Sequence, residues 1–501
     1  MQWTHHSGSE QGVSTRPWRP EYSSPQSFTS PRYVLYFPLA LSAMAVLMWL
    51  LPSDGMLGAG CFVGTAAGFW ILWDFLFRDK ILRFTRVSAM GFLLGYSGGT
   101  LNTWLTLPRA GYSLASRAGL MRGELCHGIA ATILASVVLL IFGELFEQPV
   151  FARENHIRIT RGLKRIALFG VLAILPLVAS GRLQQGGLAT SGGGTGHAGI
   201  LVVIFGDLVT PTVIISTIIF LMEKKSAWRF FWGFASVMLW LIQLDLGRRN
   251  LVYAAVITIP LARYAGYQWS KLSFRQILLI GLGGLFIFGG FLGYQLLRVA
   301  SYGHKKPNLK QQISTAISWA EEGRAWEIAV LSTQQNVQGR TFVVAWFSDL
   351  LELSSRMPTA HGRNLVIQTE QAIPGVLIPN KPTIQEEGIA SEQFNRDYPD
   401  ESNSLITAGV VDFGLAGVMI YPLALVFCMS YALRWLRKAL DHEIFVYALI
   451  MGLMATIATE VELTGYVVTM RDMFVIAAGL YVLLRLPSIR LKPQSVYGEL
   501  S

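Results

Sequence analysis

Long apolar runs separated by short polar segments make up most of the chain between residues 33 and 486. Each run is long enough to cross about 30 Å of hydrocarbon as a helix, so the pattern predicts about twelve membrane spans. The predicted spans cover residues 33–51, 57–77, 87–107, 127–147, 164–180, 198–222, 228–245, 250–267, 275–297, 406–433, 444–461 and 472–486. The predicted fold is therefore all-α, a polytopic bundle of membrane helices.

One polar interval, residues 298–405, interrupts this pattern between the ninth and tenth predicted spans. A block of this size between two membrane helices is more than a connector, and we expect it to form half of a working site. The predicted division is a disordered cytoplasmic tail at 1–32, spans one to nine at 33–297, the large loop at 298–405, spans ten to twelve at 406–486 and a cytoplasmic tail at 487–501.

Two amphipathic helices are predicted inside the large loop. Apolar residues recur at helical spacing from Ile313 to Ala320 and again from Phe342 to Leu353, and both runs are too short to span a bilayer. Such helices either lie in the membrane interface, where tryptophan side chains are favoured, or pack on the membrane domain as a cap. The sequence leaves both alternatives open.

The charge distribution orients the chain and excludes some classes of protein. The chain is 52% hydrophobic and 14% charged, which is too apolar for a soluble globular protein. The net charge is +10, and because the 298–405 interval carries 10 basic and 12 acidic residues, the rest of the chain holds an excess of 12 positive charges. The excess sits in short alternate loops, which predicts cytoplasmic termini, a periplasmic large loop and an inner-membrane location, and argues against a nucleic-acid partner.

Arginines on the predicted outer side are candidates for binding an anion. Arg248 and Arg249 lie in a tight hairpin between two predicted spans, and Arg298 follows the ninth span. Guanidinium groups match phosphate oxygens in bidentate geometry. The alternative for each is an interface anchor that extends to lipid headgroups.

Candidate bases lie in or beside the large loop. His361 and His304 are its only histidines, and carboxylates that can also accept a proton from a sugar hydroxyl are Glu392, Asp397, Asp400, Glu401 and Asp412. Asp412 falls just inside the predicted tenth span, where it either serves chemistry or pairs helices. Polar and basic loop residues that we expect to contact substrate are His304, Arg363, Lys381 and Arg396.

Several kinds of site are absent from the sequence. It contains no GxxxxGK[ST] loop, no HExxH and no CxxC, and its three cysteines are scattered. The first predicted outer loop, residues 52–55, lacks the acidic pair that binds metal in many lipid-dependent glycosyltransferases. The sequence thus favours metal-independent chemistry and predicts no cofactor.

The overall plan resembles the Wzy-type O-antigen and exopolysaccharide repeat-unit polymerases and the related O-antigen ligases, which also place a large outer loop in the C-terminal half. Leu246-Gly247-Arg248-Arg249-Asn250 is similar to a Gly-Ser-Arg element of that family, with Arg249 in the arginine position. Phe413-Gly414-Leu415-Ala416-Gly417 is similar to the family's Phe-Gly-x-x-Gly pattern after the large loop.

This resemblance implies a GT-C-like membrane enzyme that joins polyprenyl-pyrophosphate-linked oligosaccharide repeat units. Arg248 or Arg249, with Arg298, would bind the pyrophosphate, and His361, Asp412 or Asp400 would deprotonate the acceptor. Membrane lipids and a chain-length regulator are further implied partners. Two alternatives remain: a ligase that transfers the glycan to another acceptor, and a transporter or flippase, for which we expect broken helices and polar groups in mid-membrane.

Overall fold

The computed structural model describes residues 31–78, 81–106, 122–147, 150–151, 160–179, 205–246, 248–267, 309–339, 341–375, 377–382, 384–395, 403–440, 442–456 and 461–485, with a few isolated positions between 289 and 300. The described chain is helical, as the sequence predicts, apart from a two-residue antiparallel ladder of β1 and β2.

The elements follow one another as α1 (Pro31–Leu50), α2 (Asp54–Trp73), β1 (Ile81–Leu82), α3 (Phe84–Phe92), α4 (Gly99–Thr106), α5 (Arg122–Phe146), β2 (Val150–Phe151), α6 (Arg161–Ala179), α7 (Val209–Met222), α8 (Ser226–Leu246), α9 (Arg248–Tyr264), α10 (Leu309–Glu321), α11 (Ala325–Gly339), α12 (Thr341–Arg356), α13 (Arg363–Ala372), α14 (Glu386–Phe394), α15 (Leu405–Phe413), α16 (Leu415–Leu440), α17 (Glu443–Thr456) and α18 (Leu463–Arg485). Two π-helical segments, Asp74–Arg78 and Leu93–Gly98, extend α2 and join α3 to α4.

Five helices of the described chain are long and apolar enough to cross a membrane. They are Asp54–Phe77, Gly123–Phe146, Phe205–Met222, Leu415–Leu440 and Leu463–Arg485, and two shorter apolar helices are Tyr36–Leu50 and Leu251–Tyr264. Helices of this kind are those of a membrane protein. The total of twelve spans and the GT-C-like arrangement stay predictions, and the predicted ninth span falls almost wholly outside the described residues.

The predicted tenth span, 406–433, is wrong at its start because the helix breaks at Gly414. Gly414 has φ +60°, a backbone conformation that residues with a Cβ rarely adopt. The break leaves α15 as a short buried helix, and α16 folds back against it. Asp412 is therefore not inside a long span: it lies in α15, before the helix that is long enough to cross.

The two ends of α5 define two faces of the bundle. Its 25 residues separate these ends by about 37 Å. At its first turns His127 Nε2 lies 3.3 Å from the Trp49 carbonyl oxygen at the end of α1. At its last turn Arg434 of α16 donates to the Phe146 carbonyl oxygen at 3.0 Å. We name the first end the loop face, because α12 packs there. Which face is periplasmic stays a prediction.

The opposite face is held by ion pairs between a predicted inner loop and the ends of two predicted spans. Arg86 pairs with Asp74 at 3.2 Å and with Glu144 at 3.0 Å. The buried Glu147 carboxylate accepts from the Phe84 amide at 2.8 Å and thereby caps α3. Burial raises the pKa of Glu147 to about 7, although the amide and hydroxyl donors around it act in the other direction. Some of the basic residues that indicated an inner side thus have acidic partners.

Helix α12 enters the bundle and does not lie on its surface. Its residues from Val343 to Ser348 are all buried, and its Ser348 lies so close to Gly128 of α5 that a Cβ on that glycine would overlap the serine hydroxyl. For α12 this is the predicted cap arrangement. By contrast, α10 and α11 expose the apolar side chains Ile313, Ile317 and Trp326, as an interfacial location would require.

Candidate functional site

The ten-residue helix α13 connects two polar regions of the loop face. It begins after Gly362, which has φ +88°, and ends before Ile373, so it separates these regions by about 15 Å. One region lies around Asp412 and His361. The other contains Lys381 and Arg471.

Asp412 holds the first turn of α13. Its Oδ1 accepts from the Asn364 amide at 2.9 Å and its Oδ2 from the Leu365 amide at 3.0 Å, and the Tyr421 hydroxyl also donates to Oδ2. A carboxylate at a helix N-terminus satisfies amides that lack an intrahelical partner and complements the helix dipole. Both oxygens of this fully buried side chain therefore serve the packing of α13, α15 and α16.

The neighbouring predicted residues are at the surface. His361 is exposed, with φ +50°, and its amide donates to the Asp412 carbonyl oxygen at 2.9 Å. Arg363 forms an ion pair with Glu392 at 2.8 Å, and both side chains are about half exposed. The structure thus brings His361, Arg363 and Asp412 together at the start of α13, with His361 open to solvent.

Two cations meet the other end of α13. Lys381 Nζ donates to the carbonyl oxygens of Gln371 at 2.7 Å and Ile373 at 3.0 Å, and Arg471 Nη1 of α18 donates to that of Ala372. The terminal carbonyls carry the negative end of the helix dipole. Burial, and then the charge of Arg471, lower the pKa of Lys381. Two positive charges are therefore held beside each other.

Arg471 also joins an acidic pair. Its Nε donates to Asp472 Oδ1 at 2.7 Å, and Asp472 hydrogen-bonds Asp207 from the turn before α7. A guanidinium has five N–H donors, and the bonds within the described chain use only Nε and Nη1. The remaining face of the group has donors for an anionic ligand, in the bidentate geometry that phosphate oxygens prefer.

Arg471 marks the place where the loop helices meet a membrane-length helix. Helix α18 begins at Leu463, nine residues before the predicted span 472–486. These extra turns pack along α13, where Thr464 donates to Gln368. The predicted span 472–486 therefore starts where the contact between α18 and the loop helices ends. Lys381 and Arg471 lie at this boundary between the loop helices and the membrane-length helix α18.

Glu386 fastens the start of α18 to the loop helices. Its carboxylate accepts from the Leu463 amide at 3.1 Å and lies 3.5 Å from the Thr407 hydroxyl. Ser404 and Thr407 form a capping box on α15, and the Tyr96 hydroxyl donates to Ser404 at 2.6 Å. Burial raises the pKa of Glu386 well above its ordinary value. This network holds the start of α18 in place, and α18 carries Arg471 to the C-terminal end of α13.

A cleft of about 480 Å³ opens on the loop face near the start of α13. The half-buried Trp49 ring stacks on His127 with 4.4 Å between ring centroids. Glu124 lies one turn before His127 on α5 and Glu352 enters from α12, where it pairs with Arg356. Hydroxyls from Ser348, Ser354, Ser355 and Thr359 complete the polar lining. An aromatic ring, carboxylates and hydroxyls in one open cleft suit a polyhydroxylated ligand.

Several of the predicted pyrophosphate-binding, substrate-binding and catalytic side chains are not among those that the structure describes. Arg298, His304, Arg396 and Asp400 lie outside the described residues, and of Arg248 and Arg249 only the backbone at the start of α9 is described. Sequence reasoning missed Arg471, Asp472, Glu124, His127 and Glu352. Two signals were present: an Arg-Asp pair inside an apolar run, and a Glu and His one helical turn apart at the start of a predicted span.

Comparison of the chain with models of protein families, with curated proteins and with solved structures gave no match.

Proposed function

We propose that this protein is a polysaccharide polymerase that joins polyprenyl-pyrophosphate-linked oligosaccharide repeat units on the periplasmic face of the inner membrane. The observation that carries the proposal is the cation pair Lys381 and Arg471, held at the boundary between loop helices and a membrane-length helix. A lipid-linked pyrophosphate would present its charge at such a boundary.

In the proposed reaction the acceptor hydroxyl oxygen attacks the anomeric carbon as the bond from that carbon to the pyrophosphate oxygen breaks. The pyrophosphate leaves with the bonding electron pair, and Lys381 and Arg471 stabilise its growing negative charge. The acceptor proton leaves to water beside the attacking oxygen, because the candidate bases His361 and His127 lie near the start of α13, about 15 Å along this helix from the cation pair, and can receive the proton only by relay. A single displacement of this kind inverts the anomeric configuration.

The acceptor glycan would lie in the cleft. The indole of Trp49 can pack on the apolar face of a sugar ring, while Glu124 and Glu352 accept hydrogen bonds from sugar hydroxyls. The distance of about 15 Å along α13 leaves room for several sugars between the cleft and the pyrophosphate. Arg248, Arg249 and Arg298 remain proposed as further ligands of the pyrophosphate.

The test is reconstitution of the purified protein with a short-chain polyprenyl-pyrophosphate oligosaccharide, followed by gel analysis. Lys381→Met keeps the length of the side chain and removes its charge, and we expect it to slow formation of the product ladder by about 10²-fold. Arg471→Lys keeps the positive charge and removes the two parallel N–H donors with which a guanidinium binds phosphate oxygens. Arg324→Ala, at an exposed ion pair of the same loop, is the matched control and should retain the ladder. A full ladder from Lys381→Met, or none from the wild type, would contradict the proposal.

A transporter of lipid-linked glycans is the second candidate. The buried Asp472, with its partners Arg471 and Asp207, and the helix break at Gly414 favour it, since transporters combine intramembrane charges with interrupted helices. Movement of the substrate across liposomes without any ladder would establish this candidate in place of the polymerase. A ligase shares the chemistry of the polymerase, and transfer to a non-identical acceptor would identify it.

A further inference from the structure

Asp207 and Asp472 bring two carboxyl groups together inside the bundle. Asp472 is fully buried, Asp207 is half-buried, and the two side chains hydrogen-bond each other between the turn before α7 and α18. The Oδ2 atom of each is shielded from solvent and receives no hydrogen bond from an N–H or hydroxyl donor of the described residues. Buried polar atoms without a partner are rare in proteins and often mark a function.

Chemistry limits how these groups can be charged. An ionised carboxylate is only an acceptor, so two carboxyl groups hydrogen-bond each other only when one of them carries a proton. The positive charge of Arg471, 2.7 Å from Asp472, compensates one carboxylate. A second ionised carboxylate would place another negative charge beside the buried Asp472 without a second counterion, which is costly.

We propose that Asp207 and Asp472 together bind one exchangeable proton, and that anion binding at Arg471 draws a second proton onto the pair. The second half of this inference rests on the proposed pyrophosphate site. The guanidinium that would bind the anion is the group that compensates Asp472. An anion on the free face of Arg471 competes for this positive charge and repels both carboxylates, so protonation of the pair becomes more favourable.

The surroundings of the pair leave few other groups to share this role. Within the described residues, Lys381 is the second cation near Arg471 and would bind the same anion. Gln368 on α13 and Trp435 on α16, which face α18, are neutral. The Glu386 carboxylate meets the start of α18 at Leu463, nine residues before Asp472, Glu462 directly precedes this helix, and Asp412 lies at the far end of α13.

Linkage fixes the sign of the effect. If anion binding is accompanied by uptake of one proton, the affinity for the anion rises as the pH falls, by up to tenfold per pH unit. The same coupling means that a bound anion raises the occupancy of the proton site.

The first experiment detects the proton directly in the full-length protein. Infrared difference spectra recorded across a pH titration should contain a carbonyl band of a protonated carboxyl group, and Asp207→Asn and Asp472→Asn should each remove it. Glu462→Gln, which removes a partly buried acid elsewhere on the loop face, is the control and should leave this band in place. If no band depends on Asp207 and Asp472 while the protein stays folded, the inference is overturned.

The second experiment measures the linkage, with inorganic pyrophosphate as the probe. Calorimetric titrations in buffers of different ionisation enthalpy give the number of protons taken up on binding. We expect the wild type to take up about one proton more than Asp207→Asn, which subtracts the protons that belong to pyrophosphate itself. Equal proton uptake would overturn the coupling. Absence of pyrophosphate binding, with the infrared band intact, would instead overturn the anion site of the proposed function and the coupling with it.

Discussion

Single side chains of this protein join helices that are far apart in sequence. Asp412 accepts three hydrogen bonds from α13 and α16, and both of its oxygens are used. The sequence allowed Asp412 either a catalytic or a helix-pairing role. The contacts describe the helix-pairing role, and the catalytic role stays a prediction.

Removal of the Asp412 carboxylate should therefore act first on stability. Asp412→Ala leaves the Asn364 and Leu365 amides and the Tyr421 hydroxyl without their acceptor, and we expect a loss of about 2–5 kcal/mol. Thermal unfolding of the purified variant in detergent measures this loss. Tyr421→Phe removes one of the three donors and should cost less.

Glu392→Gln is the control for Asp412→Ala. It removes the carboxylate that pairs with Arg363 across the same stretch of chain, but both side chains are about half exposed. Exposed ion pairs contribute about 0–1 kcal/mol, so this variant should unfold close to the wild-type temperature. An Asp412→Ala variant that is as stable as Glu392→Gln, yet inactive, would return Asp412 to the catalytic machinery.

At the scale of whole elements, the hairpin of α15 and α16 depends on two glycines, one for its turn and one for its close packing. Gly414 supplies the backbone conformation with positive φ at the turn, and Gly417 then lies against Gly409. A Cβ at Gly417 would overlap the carbonyl group of Gly409, which is backbone and cannot move aside alone. The pattern Phe413-Gly414-x-x-Gly417, noted as a family resemblance, thus has a packing explanation of its own.

Gly417→Ala should prevent this hairpin from closing. We expect a loss of at least about 3 kcal/mol, because overlap with backbone has no rotamer that relieves it. The measurement is the yield of monodisperse protein on size exclusion, followed by thermal unfolding. Gly479→Ala is the matched control, since no atom lies within 4 Å of a Cβ placed there and the residue is also in a membrane-length helix.

The loop helices show which elements a sequence pattern can predict. Helices α10 and α12 were predicted because apolar residues recur along them at helical spacing. Helix α13 was not, because its buried residues are Asn364, Gln368 and Ala372, so its inner face carries no apolar stripe. The partners of that face, Asp412 and Thr464, are distant in sequence. A polar helix of this kind becomes visible only with its surroundings.

At the scale of the whole molecule, the lengths of the apolar runs predicted most of the described helices. No sequence pattern predicted the contacts between distant segments. The cleft combines Trp49, Glu124, Glu352 and Phe413 from four separate stretches, and no local pattern joins them. Lys381 was predicted as a ligand, but its neighbour Arg471 was not, since a cation inside an apolar run has many roles. Hydrophobic burial thus specifies elements, and long-range packing assembles the candidate site.

The separation of the two polar regions by α13 predicts that donor and acceptor binding can be changed independently. Trp49→Ala removes the aromatic face of the cleft, and we expect about a tenfold higher KM for the acceptor glycan, with pyrophosphate affinity unchanged. Lys381→Met should weaken pyrophosphate binding and leave the acceptor KM as it is. A single-transfer assay with separate donor and acceptor, together with calorimetry on inorganic pyrophosphate, measures both quantities.

Trp326→Ala, an exposed tryptophan of α11, is the control for Trp49→Ala and should change neither value. If Trp49→Ala and Lys381→Met shift both quantities alike, the two regions act as one site and the assignment of the cleft to the acceptor fails.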